Sequence, residues 1–244
     1  MVDHNGEKMK VLNLYAGIGG NRKLWEDVEV TAVEIDPKIA AIYSDFFPDD
    51  KMVVGDAHQY LLDHYKEFDF IWSSPPCPTH SHLNHILNKQ GHIRYPDMAL
   101  YQEIIFLQTF LYESQYCIEN VRSYYDPLIK PQYIDRHYFW ANFYITDFSR
   151  PRLGFDILNV GFNTKNAKHE RAFEDENTTS LQELHGFNLE KFKLATYKKR
   201  KILRNAVYPP LGKHILECAR GNTQKTLVES INSITKRMEA GESG

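Results

Sequence analysis

At 244 residues and 42% hydrophobic content, the chain can bury one full core with a small appended lobe. It has no run of eighteen apolar residues, which argues against a membrane span, and its formal net charge of −3 rules out a global pull toward polyanions, so any such site must be a local basic patch. The start, Met1 to Lys10, is polar without a signal-peptide core. Cys77, Cys117 and Cys218 form no CxxC pair and are odd in number, so a soluble intracellular protein in a reducing compartment is expected.

In chain order, Lys10 to Tyr15 reads as a buried strand, broken by Ala16-Gly17-Ile18-Gly19-Gly20. A strand running into a glycine-rich turn opens many nucleotide-binding α/β units, because glycine lets backbone amides approach a ligand closely. The spacing is not GxGxxG, so a dinucleotide pyrophosphate is not implied, and a plain tight turn is the simpler reading. Val30 to Glu34 is the next strand. It ends in acids at Glu34 and Asp36, where a carboxylate commonly binds two ribose hydroxyls. Pro37 opens a helix to about Phe47, Lys51 to Val54 forms a third strand closed by Gly55-Asp56, and a helix from Ala57 to Tyr65 leads to the strand Phe68 to Trp72. This alternation predicts an α/β fold with a mostly parallel sheet flanked by helices and ligands beyond the carboxyl ends of the strands.

That strand runs into Ser73-Ser74-Pro75-Pro76-Cys77-Pro78-Thr79-His80-Ser81. Three prolines fix φ near −65° and remove backbone donors, so Cys77 is held in a rigid loop at a strand end. A lone cysteine is often only a small buried hydrophobe; the proline frame makes this one a candidate nucleophile. His80, His82 and His85 lie nearby, but ligation would disable the thiol and no second cysteine stands at ligand spacing, so no metal is expected. These histidines are expected to contact phosphates or to solvate the loop.

His82 to Tyr95 lacks clear periodicity and reads as a mobile segment. Met98 to Tyr112 carries Leu100, Ile104, Leu107 and Leu111 at helical spacing. Tyr116-Cys117-Ile118 is a short strand with Glu119-Asn120-Val121 at its end, facing the same crevice as Cys77. Residues 137 to 147 read as an aromatic strand. From 149 to 203 the chain turns polar, and residues 191 to 204 hold Lys191, Lys193, Lys198, Lys199, Arg200, Lys201 and Arg204 with no acid: a solvated face or a polyanion patch. Arg204 to Gly212 reads as a turn, 213 to 220 as the start of a closing helix, and 221 to 244 as a short amphipathic helix with a frayed end.

Six of these stretches, in this order, resemble the C5-cytosine DNA methyltransferase family over about residues 11 to 220: Tyr15 to Gly20, Val33-Glu34-Ile35-Asp36, Gly55-Asp56, Pro75-Pro76-Cys77, Glu119-Asn120-Val121 and Arg204-Asn205-Ala206-Val207. The resemblance implies a Rossmann-like class I methyltransferase fold formed by 1–148 and 204–225, a small target-recognition lobe at 149–203 and a tail at 226–244. It implies S-adenosylmethionine bound by Tyr15, Ala16, Gly17, Ile18, Gly19, Gly20, Glu34, Ile35, Asp56, Ala57, Pro75, Asn205, Ala206 and Val207, with Glu34 on the ribose and Asp56 near the adenine. Cys77 is then the nucleophile, Glu119 the acid partner of the base, and Arg136 the arginine ending a Gln-x-Arg-x-Arg signature. Here that signature reads Gln132-Tyr133-Ile134-Asp135-Arg136, so its first arginine is replaced by Ile134. Ser81 and Arg94, with Lys198, Lys199, Arg200 and Lys201, would contact nucleic acid.

The implied chemistry accounts for these residue types. Cytosine C5 is a poor nucleophile, and a thiolate adding at C6 turns the ring into an enamine, while a carboxyl group at N3 stabilises the developing charge. A stacked base cannot meet a thiol, so it must be flipped out. Leu181 to Phe187 resembles the segment ending the recognition region, which leaves about 150 to 180 as its variable part and predicts a short target sequence or low specificity. The implied partner is double-stranded DNA, acted on by a cytoplasmic monomer of a prokaryote or its phage, as in restriction-modification. The alternatives are the same chemistry on tRNA, or a catalytically silent nucleic-acid-binding regulator.

Overall fold

A computed structural model describes residues 8–150 and 178–221. Seven strands make one sheet: β1 (Met9–Leu14), β2 (Val28–Glu34), β3 (Lys51–Val54), β4 (Phe70–Ser73), β5 (Gln115–Val121), β6 (Gln132–Ile134) and β7 (His137–Ala141). Their order is β3-β2-β1-β4-β5-β7-β6. The first five are parallel, and β7 runs antiparallel to both β5 and β6. Strand order reverses between β1 and β4, the place where an open α/β sheet leaves a crevice for ligands. This is the mostly parallel, helix-flanked sheet that the alternation predicts.

Helices α1 (Pro37–Phe46), α2 (Ala57–His64), α3 (His82–Lys89) and α4 (Ala99–Phe110) fall within the first half, followed by the described part of α5 (178–185), then α6 (Thr196–Asn205) and α7 (Pro209–Ala219). The acids that end β2 and β3 start the next helices. Asp36 caps α1 by accepting from the Lys38 amide, with Pro37 at the first helical position, and Asp56 caps α2 by accepting from the Gln59 amide.

β1 is buried on both sides, and Val11, Leu12, Asn13 and Leu14 have no exposed surface. Its odd and even residues feed two cores. On one face Val11, Phe70, Trp72 and Phe139 pack with Leu211 and Ile215 of α7. On the other, Leu12, Leu14, Ile71 and Ile118 pack with Leu61 of α2 and Leu100, Ile104 and Leu107 of α4. A third cluster joins Leu181, Phe187, Leu189 and Leu203 to Ile18 and Ile42, so the described part of 178–205 is fastened to the glycine turn and α1. Among the described residues no helix is long and apolar enough to cross a membrane.

Three local expectations are corrected. The stretch from His82 is not a mobile segment throughout but begins as helix α3: Ser81 caps it, and the buried Asn84 donates to the carbonyls of Thr79 and Arg94, tying down both ends. The aromatic strand stops at Ala141, because Asn142 turns its side chain to the Tyr116 amide and the Ser114 carbonyl. Lastly, α7 begins at Pro209 inside the expected turn, proline being tolerated in a first helical turn. The variable part of the recognition region and the tail fall almost wholly on residues outside those described.

Candidate active site

The loops after β1, β2 and β4 converge on a cavity of about 440 Å³ at the crevice, within the size range of small-molecule sites. Of the residues expected to hold a cofactor, Tyr15, Ala16, Gly17, Ile18, Gly20, Glu34, Asn205, Ala206 and Val207 line it. Gly19, Ile35, Asp56, Ala57 and Pro75 are not in its lining. Ser74, Asp36 and Ile39 join it, and α6 adds Tyr197, Lys198, Lys201 and Ile202.

Glu34 organises this end. One of its oxygens accepts from the Gly17 amide at 2.9 Å and the other from the Asp36 amide at 2.9 Å, leaving a lone pair on each for a ligand. Gly17 has φ +55°, and a Cβ there would project into open space. At Gly20 a Cβ would stand 2.4 Å from the Val207 carbonyl oxygen, so only glycine lets the turn touch 206–207.

Behind the cavity wall lies a carboxylate that the sequence reading passed over. Glu103 of α4 has no exposed surface; it accepts from the Tyr15 hydroxyl at 2.5 Å and the Ser73 hydroxyl at 2.6 Å, and lies 3.2 Å from His58 Nδ1. Tyr15 takes a left-handed φ of +55°, uncommon for a tyrosine, and this bond fixes its ring. Burial, then Glu103, push the Tyr15 phenol far above its ordinary value, and the bond to Glu103 raises His58. Glu103 therefore ties the turn after β1 to the end of β4, just before the cysteine loop. Its signal was present in sequence: Leu100, Glu103, Ile104 and Leu107 share one helical face, three of them apolar.

Cys77 sits beyond β4, partly exposed. Its carbonyl accepts from the amides of His80 and Ser81, and the buried Asn120 side chain donates to the Pro75 carbonyl at 3.0 Å, fastening the proline loop to β5. Burial, and then the nearby Glu119 carboxylate, push the Cys77 thiol up to about 11. The free protein therefore holds a thiol at neutral pH. Cys117 and Cys218 are buried. Glu119 lies within β5, buried, with His137 Nε2 3.7 Å from its Oε1. Arg136 is exposed at the β6–β7 turn. Beside it Asp135 pairs with Arg150 at 3.0 Å, and the Arg150 guanidinium lies over the Tyr208 ring.

Of the groups expected at the nucleic-acid face, His80 and Lys199 are buried. His80 is buried and neutral, 2.5 Å from the Tyr125 hydroxyl, so it serves the loop and not a phosphate. Ser81 caps α3 and donates to the Pro78 carbonyl; Arg94 is exposed, and its backbone is held by Asn84 and Asn88. The basic run is split by the helix: Lys198 and Lys201 line the cavity, while Lys199 is buried and bonded to Glu190 at 2.7 Å. Arg200 is partly exposed on the same helix.

Residues 9–123 match the family model of the C-5 cytosine-specific DNA methylases. This stretch is similar to the C-5 cytosine-specific DNA methylases. S-adenosylmethionine is the methyl donor of this family. The fold is similar to the Entamoeba histolytica methyltransferase EhMeth, at 14% identity over 89% of this chain and 99% of that one, with a TM-score of 0.54. It is likewise similar to a DNMT2 mutant of Spodoptera frugiperda, at 14% identity over 87% and 99% of the two chains, with a TM-score of 0.56. No curated protein matches by sequence. At such identities the likeness shows the class I methyltransferase fold alone, and the likeness to the family rests on residues 9–123. The cavity suits the methylase cofactor: a carboxylate at the end of β2, a glycine turn open to the ligand and apolar walls at Ile18, Ile39 and Val207.

Proposed function

We propose that this methylase transfers a methyl group to C5 of cytosine in double-stranded DNA through a covalent bond between Cys77 and C6 of a flipped-out base. The observation that carries the reading is that Cys77, on the loop that leaves the Glu34 cavity at Ser74, lies near enough to Glu119 for the carboxylate to oppose ionisation of the thiol. S-adenosylmethionine, when bound, supplies an electrophilic methyl group. Glu34 would hold its ribose, the glycine turn and Asn205 to Val207 would frame the cavity around it, and Asp56, capping α2 beyond the lining, would lie toward the adenine.

The protein's own part divides among three places. The Cys77 thiol gives its proton to solvent water as its sulfur adds to C6, which raises electron density at C5; once C5 carries the methyl group, loss of its remaining proton to water expels the sulfur as thiolate and restores the ring. Glu119 hydrogen-bonds N3 and stabilises the charge that forms there, a role worth about 10² to 10⁴ in rate for a positioned acid. Arg136 would contact the base or its phosphate at the edge of the crevice. Desolvation keeps the free thiol mostly protonated at pH 7, so little thiolate stands ready before a substrate enters.

Residues 149–203 form the recognition region in this reading. Within it, Leu194 and the α6 residues Tyr197, Lys198, Lys201 and Ile202 wall the cofactor cavity, and base reading is assigned to the segment before residue 178. Ser81, Arg94, Lys198, Arg200 and Lys201 border the path of the nucleic acid, while Lys199 is held away from it by its pair with Glu190. The protein acts as a monomer. Incubation with labelled cofactor and either duplex DNA or tRNA tests the substrate: label in C5 of DNA cytosine supports the reading, and label in tRNA alone replaces DNA by tRNA with the same chemistry. Absence of transfer to both, with DNA still bound, would favour a silent regulator of the same fold.

A further inference from the structure

The signature that should place an arginine at position 134 has Ile134 there, and Ile134 is buried in the core with Phe139 and Leu211. No cation reaches Glu119 from that residue. The hairpin supplies another group to the same place. β6 and β7 pair Ile134 with His137, and β5 and β7 pair Val121 with His137 and Glu119 with Phe139. Alternation along a strand therefore puts Glu119 and His137 on one face of the sheet as diagonal neighbours. His137 Nε2 lies 3.7 Å from Glu119 Oε1, with both side chains largely buried, and among the described residues His137 Nδ1 is buried without a partner.

We propose that His137 is the positioning residue for Glu119, taking the place of the arginine absent at position 134. This rests on the reading of Glu119 as the acid partner of the base. Nε2–H of His137 donates toward Oε1, which fixes the carboxyl plane and leaves Oε2 to face N3 of the base. The gap is longer than a hydrogen bond and closes when the base fills the crevice, as hydrogen bonds of empty sites commonly tighten on substrate binding. The other ionisable groups near this pair are Cys77 on the loop after β4, Asp135 and Arg136 at the hairpin turn, and Arg150 paired to Asp135.

The test compares His137→Ala and His137→Gln, since the glutamine amide can donate from near the Nε2 position without an imidazole. His137→Ala is expected to lower kcat by about ten- to a hundredfold with KM for the cofactor within about twofold, and His137→Gln to recover most of the rate. Equal loss in both variants, or a fall confined to KM, would overturn the proposal. A second arm needs no turnover: the imidazole resonances of His137 in the unliganded protein should move on Glu119→Gln, and unchanged resonances would also overturn it. Failure of the wild-type chain to methylate either DNA or tRNA would instead count against the proposed function, while the resonance arm still decides the pairing.

Discussion

The crevice has two buried carboxylates, and they are held very differently. Glu103, on the cofactor side, has no exposed surface and three close partners, Tyr15, Ser73 and His58. Glu119, on the side proposed for the substrate, has among the described residues the His137 imidazole at 3.7 Å and a thiol whose ionisation it opposes. A satisfied buried network rigidifies its surroundings, whereas a half-satisfied one lowers its energy by gaining a partner. In the proposed reading, the difference separates a cofactor end shaped before any ligand arrives from a substrate end that the base would complete.

Breaking the substrate end should have the largest effect on rate. Cys77→Ser is expected to reduce methyl transfer by about 10³-fold or more while DNA binding, read by gel shift, stays within about twofold. Retained turnover would remove the nucleophile from the account. Glu119→Gln comes next, with an expected loss of about 10² in kcat measured at saturating cofactor.

Breaking the cofactor end should show in stability and affinity. Glu103→Ala leaves the Tyr15 and Ser73 hydroxyls without their acceptor, and is expected to cost about 3 kcal/mol in denaturant unfolding and about tenfold in S-adenosylhomocysteine affinity by calorimetry. The bond to Glu103 raises His58 above its ordinary 6.5, so its contribution to stability is full below pH 6.5 and is lost as pH climbs through the raised value. Glu103→Gln should flatten that part of the stability profile, and an unaltered slope would show that His58 titrates alone.

Two smaller effects sharpen the contrast. In the free protein, alkylation of Cys77 by iodoacetamide should keep accelerating up to about pH 11, because only the thiolate reacts. A plateau near pH 8 would mean that a cation already activates the thiol. Replacing Lys198 and Lys201 by alanine should lower the salt slope of DNA binding by at most about 2, whereas Lys199→Ala, which removes a partner of Glu190, should leave the slope unchanged.

Most of the parallel half was legible in sequence because its signals are local: apolar runs ending in Gly17, Glu34, Asp56 and the prolines around Cys77. What escaped depends on pairing across the fold. Glu103 is one residue on an apolar helix face until Tyr15 and Ser73 are seen against it. His137 becomes a neighbour of Glu119 only through an antiparallel register that no spacing reveals. Helix α3 hid for another reason, since its buried residue is Asn84 while Leu83 and Ile86 are about half exposed, so no apolar stripe marks its inner face. For the lysines of α6, charge pattern alone does not show that Lys198 and Lys201 line a cavity while Lys199 is buried.

Trapping on duplex DNA carrying 5-fluorocytosine tests the central claim most directly, because fluorine at C5 blocks the final elimination. With the methyl donor present, the wild-type protein should form a covalent adduct that survives denaturation and maps to Cys77, and Cys77→Ser should form none. An adduct on another residue, or none under conditions where the protein methylates cytosine, would contradict it.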